Sequence, residues 1–121
     1  MSSKILIAED EPSIVLSLEF LLQGAGYEVT VARDGNEALR IAERIRPDLI
    51  VLDIMLPLLD GFEVCRHVRE NGMLGHTKIL MLTARGHENA VEKSLMLGAN
   101  AYMTKPFSTR ELVKIINGLL T

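Results

Sequence analysis

The sequence predicts an α/β domain: a doubly wound parallel sheet of five strands with helices on both faces, laid down as five successive strand–helix units. Three observations predict it. Short runs rich in β-formers recur along the chain, and most are continuously apolar, the pattern of strands covered on both faces. Stretches with apolar residues at helical spacing separate them. Cap and breaker residues stop the helices where the next strand is due. Strands alternating with helices in this way form a parallel sheet through right-handed crossovers.

The first strand is Lys4–Ala8. Residues 13–25 follow as a helix, with Ile14, Val15, Leu18, Leu21, Leu22 and Ala25 on one face and Gly24 and Gly26 marking its end. The second strand is Glu28–Ala32. Asp34, with Glu37 three residues on, has the spacing of a capping box; Ala38, Leu39, Ala42 and Ile45 face inward, and Pro47 stops the helix. Leu49–Asp53 is the third strand. The helix Phe62–Glu70 follows it and is broken by Asn71-Gly72. The fourth strand, Lys78–Thr83, leads into a helix over His87–Leu97 that Gly98 closes. The fifth strand is Ala101–Thr104. Ser108, with Glu111 at the capping-box position, opens the last helix, whose inner face is Leu112, Ile115, Ile116 and Leu119.

A chain of 121 residues suits one domain, 1–121, with a sizeable core. Its apolar runs stop well short of the ~20 residues that a membrane span needs. The N-terminus turns acidic at Glu9 and lacks a signal-peptide core, so a cytoplasmic location is expected. The lone Cys65 excludes an internal disulfide and a cysteine metal cluster, and it is expected as a small buried hydrophobe. A net charge of −3 without a basic stripe argues against a general grip on nucleic acid. His67, His76 and His87 show no ligand spacing and read as surface residues.

In a parallel sheet, ligands sit at the carboxyl ends of the strands. Four of those ends carry polar residues: Glu9-Asp10-Glu11, Asp53, Thr83-Ala84 and Thr104-Lys105-Pro106. Taken singly, most have ordinary explanations. Acids after a strand cap the next helix, a Thr ends a strand as a β-former, and a Lys before Pro is solvated. Asp53 is harder to explain, because Ile50-Val51-Leu52 precede it and Ile54-Met55-Leu56 follow it. A buried carboxylate is costly unless it is paired or bound to a cation. Several carboxylates stay charged together most readily around a metal ion. Oxygen ligands without His or Cys favour Mg²⁺ over zinc. Asp10 and Asp53 supply carboxylates for such an ion, Lys105 a positive charge for a phosphoryl oxygen, and Thr83 a hydroxyl, with backbone N–H groups nearby.

The segments LIAEDEP (6–12), VLDIMLPLLDG (51–61), LTARG (82–86) and YMTKPF (102–107) together resemble a response-regulator receiver domain of two-component signalling, over essentially the whole chain. The resemblance implies the chemotaxis-receiver-like fold, flavodoxin-like, with strand order 2-1-3-4-5. It implies that Asp53 is the phosphoacceptor. Mg²⁺ would be held by Asp10, Asp53 and the Met55 backbone carbonyl, with Glu9 acting through water. Lys105, Thr83 and the Ala84 backbone would stabilise the phosphoryl group. Thr83 and Tyr102 resemble the family's switch pair, and Lys105–Pro106 would be a cis peptide. The implied donor is a histidine kinase or histidine phosphotransfer protein, docking around helix one and the strand-five loop. The output domain or target is open, and no direct nucleic-acid binding or membrane insertion is expected. Such a domain is a switch that assists its own phosphorylation and dephosphorylation, and not an enzyme with a free product.

Two other classes compete with this reading. An inactive receiver acting as a binding scaffold would not need Asp10, Asp53, Thr83 and Lys105 intact. A phosphohydrolase of the haloacid-dehalogenase type generally has a second Asp two residues after the nucleophile, where this chain has Met55. Two departures from the receiver pattern also stand out. Relatives attached to winged-helix domains typically read Ala-Asp-Asp-Tyr after the glycine, but this chain reads Ala99-Asn100-Ala101-Tyr102, and Ala90 replaces a common basic residue. Arg110 and Glu111 remain, so the charged helix-four to helix-five dimer of those relatives is expected to be weak or absent. In LPLLDG, Leu59 stands where Met is usual. Leu58 is expected to be exposed, either as a scattered apolar residue or, with Met96, as part of a partner surface.

Overall fold

A computed structural model describes residues 2–84 and 89–121. The elements in chain order are β1 (Lys4–Ala8), α1 (Pro12–Gly24), β2 (Glu28–Ala32), α2 (Gly35–Ile45), β3 (Leu49–Asp53), α3 (Gly61–Glu70), β4 (Lys78–Ala84), α4 (Asn89–Met96), β5 (Ala101–Lys105) and α5 (Thr109–Leu119), with a single 3₁₀ turn at Gly72–Leu74. All strand pairs are parallel and the sheet order is β2-β1-β3-β4-β5. Among the described residues, no helix is long and apolar enough to cross a membrane.

Strand alternation divides the core into two layers. Leu6, Ile50, Leu52, Ile79 and Met81 face one way and pack with Ala38, Ala42, Val64, Cys65 and Val68 of α2 and α3. Their neighbours Ile5, Ile7, Leu49, Val51, Leu80 and Leu82 face the other way, onto Leu18 and Leu22 of α1 and Leu112 and Ile116 of α5. Every residue of β3 is buried. That explains its unbroken apolar run, since each face of a central parallel strand meets a helix.

Local chemistry sets the helix starts. Pro12 opens α1 one residue earlier than its periodicity suggests, in the first turn where its missing N–H costs nothing. The Asp34 carboxylate accepts the Glu37 N–H at 2.8 Å, and the Glu37 carboxylate accepts the Arg33 N–H at 3.1 Å. The reciprocal bond therefore falls one residue before the cap. Ser108 accepts from the Glu111 N–H at 3.3 Å. Asp60 caps α3 by accepting the Glu63 N–H at 3.0 Å, so α3 begins at Gly61 and not at Phe62.

Strands β4 and β5 each run one residue further than expected, to Ala84 and Lys105, because the pairing continues through Thr83–Thr104 and Ala84–Lys105. Lys105 is thereby carried to the rim of the sheet. The expected start of the fourth helix at His87, and the end of the LTARG segment, lie outside the described residues. Cys65 is buried and His67 and His76 are exposed, as read from sequence.

Candidate functional site

The polar strand ends converge at one edge of the sheet. Glu9 follows β1 and is fully buried. One of its carboxylate oxygens accepts the N–H groups of Asp10 (2.9 Å) and Glu11 (3.2 Å) at the start of α1. The other accepts from the Lys105 ammonium at 2.7 Å. Asp53, at the end of β3, is buried as well. Its Oδ1 accepts the Met55 N–H at 3.2 Å and lies 3.4 Å from Lys105 Nζ. Asp10 is exposed. Ligand oxygens of Glu9, Asp10 and Asp53 lie within 4.8 Å of one another.

Gly61 keeps this edge closed. Its N–H donates to the Ile54 carbonyl at 2.9 Å. A Cβ at this position would lie 2.5 Å from the Asp53 carbonyl oxygen, so only glycine lets α3 begin against the strand that carries Asp53. Between them, Leu59 N–H donates to the Pro57 carbonyl at 2.8 Å across Leu58, whose φ is +69°. This is a γ-turn of the strained hand with a branched side chain at its centre. Leu58 is 79% exposed and Met96 is also exposed. The Met55 side chain is exposed too, which leaves its backbone as the part that faces the site.

Two of the three carboxylates, Glu9 and Asp53, face the Lys105 ammonium. Burial alone would lower the Lys105 pKa, but the hydrogen bond to Glu9 and the charges of Asp53 and Glu9 outweigh it and hold the group above the ordinary lysine value. Lys105 is therefore charged at neutral pH. A donor set of hard carboxylate oxygens, one of them open to solvent, fits a divalent oxygen-seeking cation such as Mg²⁺.

Glu9, Asp10, Asp53 and Lys105, named from the sequence, come together at this edge, through contacts that the sequence does not specify. The Lys105 ammonium is bonded to Glu9. Both oxygens of Glu9 are engaged, one by Lys105 and the other by the Asp10 and Glu11 N–H groups. The Thr83 hydroxyl lies 3.4 Å from the Met103 carbonyl and 3.3 Å from the Thr104 hydroxyl, across the strand pair. Tyr102 is exposed on β5, and the Lys105–Pro106 peptide is cis. Beside the acids, α1 and the segment after β5 border an open pocket of about 460 Å³ whose lining includes Ile14, Ser17, Ala84, Lys105 and Phe107. Leu16 and Phe20 are exposed on α1 nearby in sequence.

Two features of the site were missed. The Asp60 cap was visible as Asp followed by Glu three residues on. The need for Gly61 was not visible, because it depends on the position of another strand.

The model of the response regulator receiver domain matches residues 5–117. Over 120 residues the chain is 50% identical to the alkaline phosphatase synthesis transcriptional regulatory protein PhoP of Bacillus subtilis (strain 168), an alignment that covers 99% of this chain and 49% of that protein. The chain thus spans about half the length of that curated relative. Among solved structures, the chemotaxis response regulator CheY4 of Vibrio cholerae superposes with a TM-score of 0.92 at 36% identity, covering 99% of this chain and all of that one (100%). The receiver domain of the sensor histidine kinase PA1611 from Pseudomonas aeruginosa PAO1, which has a magnesium ion coordinated in its active site cleft, superposes with a TM-score of 0.90 at 37% identity, covering 99% and 98% of the two chains.

Proposed function

Given that this chain belongs to the response regulator receiver domain family, we propose that Asp53 is its phosphoacceptor and that phosphorylation there switches the face formed by α4, β5 and α5. The observation that supports this most is the gathering of Glu9, Asp10 and Asp53 at the carboxyl edge of the sheet, with Lys105 set against Glu9 and Asp53.

The donor is a phosphohistidine on a histidine kinase or a histidine phosphotransfer protein. An Asp53 carboxylate oxygen attacks phosphorus, the new O–P bond forms as the P–N bond breaks, and the imidazole leaves with the electron pair. Asp53 Oδ1 is tied to the Met55 N–H, which leaves Oδ2 as the attacking oxygen. Asp10, Asp53 and the Met55 carbonyl would hold Mg²⁺, whose role when bound is to offset charge on the transferring oxygens. Lys105 is already beside Asp53 and contributes a second cation there. Catalysis of this kind is mostly positioning and preset electrostatics. Water later hydrolyses the acyl phosphate and restores the carboxylate. No free product other than phosphate leaves, so the domain is read as a switch.

In the switching step, the Thr83 hydroxyl leaves β5 for the phosphoryl oxygens and Tyr102 turns from its exposed position. This is a population shift driven by local charge. The donor protein docks on the pocket between α1 and the segment after β5, with Leu16 and Phe20 as apolar contacts.

Incubation with Mg²⁺ and a small phosphodonor, followed by intact mass measurement, tests the proposal. The expected product carries one phosphoryl group and needs Mg²⁺. No adduct with several donors, together with no uptake of beryllofluoride, would overturn it.

A further inference from the structure

Phe62, Cys65 and Arg69 stand at i, i+3 and i+7 of α3 and so share one stripe. Each meets the segment that runs from α4 into β5. The Lys93 ammonium lies over the Phe62 ring, 4.4 Å from its centroid. The Cys65 thiol donates to the Leu97 carbonyl, with sulfur and oxygen 3.6 Å apart. Arg69 donates from Nε to the Gly98 carbonyl and from Nη2 to the Asn100 side-chain oxygen, both at 2.8 Å. That Asn100 oxygen also accepts the Ile79 N–H at 2.8 Å, and the Asn100 N–H donates to the Ile79 carbonyl at 2.9 Å. Gly98 sits at φ +103°, and a Cβ there would lie 2.8 Å from Arg69 Cγ, so the Arg69 stem crosses directly over the glycine.

These ties are unequal. Residues 97–100 are fastened to both α3 and β4 by charge-assisted and backbone hydrogen bonds, which are the stronger kind. Among the described residues, the middle of α4 meets α3 through the Lys93–Phe62 cation–π contact and through Ala90, which packs on the core cluster that includes Val64 and Cys65; the cation–π contact is the weaker kind of tie where solvent reaches it. Phe62 directly follows Gly61, whose N–H is bonded to the residue after Asp53. The α3 side of that contact is therefore fixed to the loop that closes the site.

We propose that the Arg69–Gly98–Asn100 cluster is a pivot and the Lys93–Phe62 contact a latch, so that α4 swings about its C-terminal end and the latch sets how often it does so at rest. Lys93 and Phe62 are then positioning residues that tune the phosphorylation switch without touching the phosphoryl group. The proposal rests on the reading of Asp53 given above. Its consequence follows from linkage. A contact made only in the resting arrangement opposes whatever favours the other arrangement, by the same factor at both sites. A cation–π pair of this kind is worth a factor of about two to five in an equilibrium.

The test uses Lys93→Met and Phe62→Leu, each with two readouts. Amide hydrogen exchange across 89–96 is expected to quicken about two- to five-fold. Beryllofluoride affinity in Mg²⁺ is expected to rise by a similar factor. Lys93 also stands within charge range of Glu63, which Arg66 already holds at 2.7 Å. Phe62→Leu keeps that charge pairing and removes only the ring, and the double variant should exceed neither single one if the two side chains form one contact. Contacts that merely pack would lower stability and leave the affinity unchanged, which overturns the latch. Unchanged exchange overturns it too. Failure of the unaltered protein to take up beryllofluoride would instead overturn the reading of Asp53, while the exchange readout still decides the latch.

Discussion

The ammonium of Lys105 is bonded to the Glu9 carboxylate at 2.7 Å, and both side chains are largely withdrawn from solvent. The same ammonium is 3.4 Å from Asp53. Before any phosphoryl group arrives, one cation therefore links the acid that follows β1 to the acid that ends β3.

Lys105→Met should leave the buried Glu9 carboxylate with its two backbone donors only. A loss of about 1–3 kcal/mol in urea unfolding is expected, together with a large drop in phosphorylation. The pH dependence has a definite sign. Because the folded Lys105 pKa lies above the ordinary value, its contribution is fully present below the ordinary lysine pKa and fades as the pH rises through the folded value. The stability difference between the unaltered protein and Lys105→Met should hold across neutral pH and shrink in strongly alkaline buffer.

Mg²⁺ should raise the melting temperature, because it binds the folded acid cluster and not the dispersed acids of the unfolded chain. At a concentration 100 times its dissociation constant the gain is about 2.7 kcal/mol. Asp10→Asn removes one of the mutually repelling carboxylates, so its Mg²⁺-free form should melt no lower than the unaltered protein. Its Mg²⁺-dependent gain should largely vanish. Thermal scans with and without the ion read both effects.

Two substitutions in the β3–α3 loop should act in opposite directions. Gly61→Ala pushes a Cβ onto the Asp53 carbonyl, and its cost should be about 1–3 kcal/mol, as for overpacking elsewhere. Leu58→Gly relieves a side chain held at φ +69° with little packing to lose. The strain of a non-glycine in a sparsely populated positive-φ conformation, about 1–3 kcal/mol, exceeds the added unfolded-chain entropy of about 0.4–1 kcal/mol. A modest net stabilisation in urea is expected.

Burial pushes the Cys65 thiol pKa up, so the folded protein should react with a thiol reagent at pH 8 far more slowly than the same protein in denaturant. Comparable rates would mean that the α3–α4 seam opens readily.

Asn100 occupies a position where an acid is expected from the receiver pattern, and its side-chain oxygen is already used by Arg69 and the Ile79 N–H. Gel filtration of the beryllofluoride complex should therefore show no tight dimer through the α4–β5–α5 face.

The strands, the helices and the composition of the site were legible because their signals are local. Continuous apolar runs mark β3, and Asp34 and Ser108 cap as their spacing requires. That the polar strand ends would meet was legible because parallel topology sends every strand's carboxyl end to one edge. The pairings inside the site were not legible. Glu9 reaches Lys105 across 96 positions of sequence, and the Thr83 hydroxyl turns toward β5 because strand register places Thr104 beside it. The demand for glycine at 61 and the role of Asn100 likewise arise only from chain segments meeting in space.

The most direct test of Asp53 as phosphoacceptor is to locate the modification. Protein treated with Mg²⁺ and a small phosphodonor is reduced with borohydride, which converts an acyl-phosphorylated aspartate to homoserine, and is then sequenced by mass spectrometry. The expected result is homoserine at position 53 alone, dependent on Mg²⁺ and absent from Asp53→Asn. Homoserine at Asp10, a phosphoryl group on a histidine, or an unmodified Asp53 in phosphorylated protein would contradict it.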